Sequence, residues 1–142
     1  MNTQYDDLMA LRAIQDSGYG AFGQPVLIDS EVANSFLAIT GPDPFGSEVS
    51  SFLLVGMVPV MAPGNSWKIT GHTSAVNLGC PKIQFISDAR IGDRVCARSR
   101  LARFNAHRRG VVITYGFDIV RANDSATLAL CENDILYMGD AP

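Results

Sequence analysis

The stretch "TGPDPFGSEVSSFLLVGMVPVM", Thr40 to Met61, decides the fold. Its first half is a run of Gly, Pro, Asp and Ser, and its second half is apolar nearly all round. Val49, Phe52, Leu53, Gly56, Met57 and Val60 recur at helical spacing over a wide arc, and a helix apolar on most of its surface has to be buried. Ser47 is placed to cap this helix and Glu48 to complement its dipole. Pro59 lacks the donor for the bond back to Val55, so the helix kinks or ends there, and Pro63-Gly64-Asn65 closes it. Backbone N–H groups and the hydroxyls of Ser50 and Ser51 are thus gathered at the start of a core helix, with no histidine among them.

Upstream, Tyr5, Leu8, Met9, Leu11 and Ile14 approach a helical rhythm. Glycines 18, 20 and 23 lead into the short strand "PVLIDS", whose Asp29 or Ser30 offers a side-chain oxygen to the first turn of a second helix. Val32, Ala33, Phe36, Leu37 and Ile39 mark its apolar face, and Gly41 ends it. Downstream of Trp67 the pattern changes to five strand candidates, separated by turns at Cys80-Pro81, Ala89 to Gly92, His107 to Gly110 and Asn123-Asp124. In "RRGVVITYGFDIVRA", Val111, Ile113, Tyr115, Phe117 and Ile119 alternate with Thr114, Gly116 and Asp118. One central helix followed by antiparallel strands is an α+β plan in which the sheet curls around the helix.

The 142 residues, 47% of them hydrophobic, suffice for one domain over 1–142, with 1–24 as an N-terminal extension. A net charge of −3 leaves no basic surplus for phosphate backbones, so nucleic acid is not an expected partner. The first residues are acidic and no apolar run reaches the about 18 residues a bilayer span needs, so no membrane partner and a cytoplasmic location are expected. Cys80, Cys96 and Cys131 lack the spacing of a metal site and read as buried structural thiols; no metal is expected.

A buried helix wrapped by an antiparallel sheet describes the hot-dog fold, and these residues resemble its MaoC-like branch of (R)-specific enoyl-thioester hydratases and dehydratases. "IDSEVANSFLAITG" looks like that family's first strand-helix unit and "PFGSEVSSFLLVGM" like its loop and central helix. "AVNLGCPKIQFISDARIGDRVCARSRL" is similar to the family stretch "VNYGxxxVRFxxPVxxGxxxR". The resemblance spans about residues 25–138 and implies a lyase-type enzyme. Its ligand would be an acyl thioester on coenzyme A or an acyl carrier protein, with no further cofactor, bound by paired hot-dog sheets in a homodimer or heterodimer. The thioester carbonyl would meet backbone N–H groups at the start of the central helix. Removing one such donor typically costs about 3 kcal/mol of transition-state stabilisation.

The sequence departs from the family where catalysis sits. "TGPDPFG" runs directly from Gly41 to Pro44, so most of the loop written "xxxIHxDPxxAxxx" is missing and its His has no counterpart. The family's "AHGF" reads Ser50-Ser51-Phe52. Asp43 is the remaining acidic candidate for acid/base work, or else a turn residue, and Ser50 is the second catalytic candidate. Gly46, Ser51, Phe52, Asn77 and His72 are the candidate substrate-binding positions, with His72 able by folding to replace the lost base. Arg108 and Arg109 at a hairpin tip are candidates for phosphate or an acidic carrier. The expected activity is a hydratase or dehydratase of acyl-thioester or polyketide-like intermediates with a remodelled site. The alternatives are a non-catalytic hot-dog partner subunit and a hot-dog thioesterase using Asp43 or Glu48.

Overall fold

The alternation read in residues 110–121 is the middle of the sheet. In the computed structural model, which describes residues 1–140, four long strands are β4 (Ser74–Phe85), β5 (Arg94–His107), β6 (Gly110–Arg121) and β7 (Thr127–Met138). With the short β2 (Val26–Leu27) they form an antiparallel sheet in the order β2-β5-β6-β7-β4. A second, two-stranded sheet pairs β1 (Asn2–Gln4) in parallel with β3 (Lys68–Thr70). The helices are α1 (Leu8–Asp16), α2 (Ser30–Thr40), α3 (Ser51–Gly56) and α4 (Val58–Met61).

One face of the sheet is apolar because the pairing registers align the odd positions of β6 with matching residues on both sides. Ile119 lies between Ala97 and Ala129, and Ile113 lies beside Ile135. α3 and α4 pack on this face: Leu53, Leu54, Val58 and Met61 join Val95, Ala97, Ile119, Leu128 and Ala129 in the main core. Leu54 and Met61 have no solvent exposure, and burying side chains of this size contributes about 2 kcal/mol each.

The interruption expected near Pro59 takes the form of a break into two helices. Met57 ends α3 and begins α4, and Pro59 sits in the first turn of α4, where a missing N–H costs nothing. Ser47 is not its cap; the helix begins later, with Ser50 in the cap position. The cap expected for α2 is present, since Asp29 Oδ1 accepts from Val32 N at 2.9 Å, and Gly41 ends that helix with φ 85°.

The N-terminal extension, residues 1–24, packs against the sheet: Leu11 and Ile14 of α1 fill a second core with Ile69, Leu101, Val111, Ile113 and Tyr137. The chain after α1 then runs along β5, with Gly20 N and Gly23 N donating to Ser99 O and Ala97 O at 2.9 Å. An added Cβ at Gly23 would collide with the Met61 carbonyl, which explains the glycine there. Cys80-Pro81 is not a turn between two strands but a bulged stretch inside β4, with register shifts on both sides of Gly79. Pro is tolerated because β4 is an edge strand and its absent donor faces no neighbour. That edge also exposes Cys80, whereas Cys96 and Cys131 are buried.

Candidate functional site

The loop 41–50 is organised by Asp43. Its Oδ2 accepts from Phe45 N at 2.9 Å and from Ser47 N at 3.1 Å, and its carbonyl accepts from Gly46 N at 3.0 Å. Gly46 closes this turn with φ 73°, a left-handed conformation that favours glycine. The carboxylate proposed as a base is therefore engaged by two backbone donors, which is the turn role also foreseen for it.

α3 begins immediately after. Ser50 is buried, and its side chain makes no capping bond to the first helical turn. Phe52 N thus receives no side-chain acceptor from the cap, while Leu53 N donates to the Ser50 carbonyl at 3.0 Å. A cavity of about 230 Å³ opens at this end of the helix, lined by Phe36, Thr40, Pro42, Asp43, Ser50 and Phe52 among others. The five loop and helix candidates, Asp43, Gly46, Ser50, Ser51 and Phe52, are accordingly neighbours.

Further along the helix pair, a second cavity of about 210 Å³ separates Val55, Val58 and Pro59 from Asn77 and Cys80 of β4, with Phe117, Cys131 and Asn133 as its floor. Its lining is mostly apolar. Asn77 therefore lies beside the helix flank rather than at the helix start, and its Oδ1 accepts from Gly79 N at 2.9 Å within the β4 bulge. Phe52 links helix and strand, because its ring packs edge-on against Phe85 at the end of β4, 5.1 Å between centroids. Val55, Val58, Pro59, Cys80 and Phe85 were not among the sequence candidates. A proline inside a strand pattern is the signal that marks β4 as an edge bordering open space.

His72 is not brought to this site. Its ring lies on Tyr137, 4.8 Å between centroids, just before the start of β4, while Phe85 and Phe52 meet at the end of that strand. The eleven steps from Ser74 to Phe85 span about 36 Å. His72 Nδ1 is buried without a hydrogen-bond partner. Around it, the Tyr115 and Tyr137 hydroxyls bond each other at 2.6 Å, and burial raises both phenols above their ordinary range. Trp67 stacks on Tyr115. Arg108 and Arg109 line a separate cleft of about 500 Å³ with Tyr5, Ser74 and Asp140, at the same end of the sheet as His72.

No group of three or more His, Cys, Asp or Glu among the described residues is arranged to hold a metal ion. None of their helices is long and apolar enough to cross a membrane.

No protein-family model and no curated protein matches the chain. Solved structures do. The ChsH1-ChsH2 complex from Mycobacterium tuberculosis superimposes with a TM-score of 0.67 at 14% identity, over 94% of this chain and 96% of that one. A MaoC-like dehydratase matches with a TM-score of 0.66 at 12% identity, over 91% of this chain but 43% of the other. The HadBC (3R-hydroxyacyl-ACP dehydratase) complex from Mycobacterium tuberculosis matches with a TM-score of 0.52 at 12% identity, over 84% and 96%. At these identities the likeness establishes the fold, which is the hot-dog fold: a curled antiparallel sheet around a short helical core.

Proposed function

We propose that the chain is a hot-dog subunit that seats an acyl thioester along α3 and relies on a second hot-dog subunit, joined at β4, to complete a hydratase or dehydratase site. The observation that carries this reading is the mismatch between a formed seat and absent chemistry. The two cavities beside α3 are mostly apolar, suited to an acyl chain, and the first turn of α3 borders one of them, where a helix start can donate to a carbonyl oxygen. Addition of water to an enoyl thioester needs one group to take a proton from water and another to deliver one to carbon. Asp43 is held by Phe45 N and Ser47 N, and neither described histidine lies at the helix start.

The free β4 edge supports the need for a partner. All twelve of its residues are exposed, including Val76, Leu78, Ile83 and Phe85, and such an edge is usually covered in a working protein. The neighbours described as complexes, ChsH1-ChsH2 and HadBC, favour the same arrangement.

Incubation of the purified protein with trans-2-enoyl-CoA tests the assignment of Asp43. Any 3-hydroxyacyl product should form at the same rate with Asp43→Asn. Turnover that disappears in Asp43→Asn returns the base to this loop and overturns the reading.

A further inference from the structure

The face of the sheet turned away from the helices carries its own charge pattern. Phe117 packs against the main core, so its neighbours Gly116 and Asp118 face the other way, because successive residues of a strand alternate. The pairing registers extend each of them into a row across the sheet. Asp118 stands opposite Arg98 of β5 and Leu130 of β7. Gly116 stands opposite Arg100 of β5 and Glu132 of β7, and Glu132 in turn stands opposite Lys82 of β4.

The two rows are satisfied differently. In the first, Arg98 meets an acid: its Nη2 lies 2.8 Å and its Nε 3.0 Å from Asp118 Oδ2. In the second, the position facing Arg100 has no side chain, and the one acid of the row, Glu132, is engaged by Arg103 Nη1 at 2.8 Å. Arg100 is left with the Tyr19 ring, 4.9 Å from its guanidinium carbon, and its Nε is buried with no hydrogen-bond partner. A buried donor on a cation costs free energy until an acceptor meets it. The exposed Lys82 makes no ion pair with any described residue.

Between these two cations the surface is hollow. A cavity of about 50 Å³ is bordered by Arg100, Lys82, Tyr19, Gly116 and Glu132, with room for more than one water and so for a small tetrahedral group. Its floor is a glycine for reasons of space. Gly116 is not one of the glycines with left-handed φ, whereas a Cβ there would press on Arg100 Nε at 3.2 Å. Glycine inside a strand weakens it and often marks close approach of a ligand.

We propose that this hollow is a phosphate site, in which Arg100 and Lys82 hold a phosphate group above Gly116. Glu132 and Arg103 cancel, so the surplus is two positive charges, which a phosphate dianion balances and a carboxylate does not. The guanidinium fork donates to two phosphate oxygens, and the ammonium meets the group as a point charge. The site lies on the opposite face of the sheet from α3, so it stands or falls apart from the thioester reading.

The test titrates the isotope-labelled full chain with inorganic phosphate and, separately, with glycerol 3-phosphate, each against sodium chloride of matched ionic strength. Phosphate should move the Arg100 Nε–H and Gly116 amide signals along a saturating curve, and chloride should not. Lys82→Gln should weaken this binding about tenfold, the loss of one charge-assisted contact. Arg100→Gln should remove saturation at the Gly116 amide, and Lys82→Gln, at an exposed position, decides the matter whether or not Arg100→Gln folds. Arg108→Gln with Arg109→Gln should leave the curve unchanged. Tighter binding of the monoester supports a phosphorylated compound as the ligand, and saturation by inorganic phosphate alone supports the free ion. Phosphate that behaves like chloride, affinity unchanged in Lys82→Gln, or signals that move at Arg108 and Arg109 instead, overturns the proposal.

Discussion

Phe52 and Phe85 meet edge to face, with ring planes 81° apart, and join the first turn of α3 to the last residue of the free strand β4. Both rings are partly exposed, Phe52 by 60% and Phe85 by 42%, so the contact lies at the border between the apolar cavity at the α3 start and the uncovered edge.

Phe85→Ala removes this border contact. An aromatic pair of this kind contributes about 1 kcal/mol beyond area burial, and half of the ring is already in water. The expected result is a loss of about 1 kcal/mol in denaturant unfolding together with weaker octanoyl-CoA binding by calorimetry.

Asp43→Ala leaves Phe45 N and Ser47 N without their acceptor. The site is near the surface, so each lost bond costs about 1 kcal/mol or less. Amide exchange at Phe45 and Ser47 should accelerate while the sheet amides are unchanged.

Leu11→Ala tests whether α1 belongs to the core. Leu11 is fully buried in the second cluster, and truncation of such a leucine costs about 2–5 kcal/mol. Urea unfolding should register that loss in one cooperative transition shared with the sheet, since α1 and β5 share a core.

Burial pushes the Cys131 thiol up from 9.0 to about 11, with smaller contributions from Cys80 and Glu132. The folded chain holds this proton more tightly than the unfolded chain. Its contribution is therefore complete below about pH 9 and is lost as pH rises toward 11, about 2 kcal/mol in all. The alkaline fall in stability should be shallower in Cys131→Ala, and a maleimide at neutral pH should modify Cys80 ahead of Cys131 and Cys96.

The fold was legible because its signals are local and periodic. The alternation of Val111 to Ile119, the Asp29 cap, the Gly41 stop and the apolar arc of residues 49–60 each determine an element by short-range physics. The merging of two strand candidates across Cys80-Pro81 was not legible, because Pro reads as a breaker unless its strand is known to lie at an edge. The packing of Leu11 and Ile14 depends on contacts with Leu101 and Val111, far away in sequence. At the site, the clustering of Asp43 to Phe52 followed from adjacency along the chain. The position of His72 did not, since only the length and direction of β4 place it on Tyr137 rather than beside α3.

The central claim is that an acyl thioester lies along α3 beside β4. Hydrogen exchange of the full-length protein with and without octanoyl-CoA measures this directly. Slower exchange is predicted for residues 51–55 of α3 and residues 77–80 of β4, on both borders of the apolar cavity. Unchanged exchange in both segments, or protection confined to another part of the sheet, would contradict it.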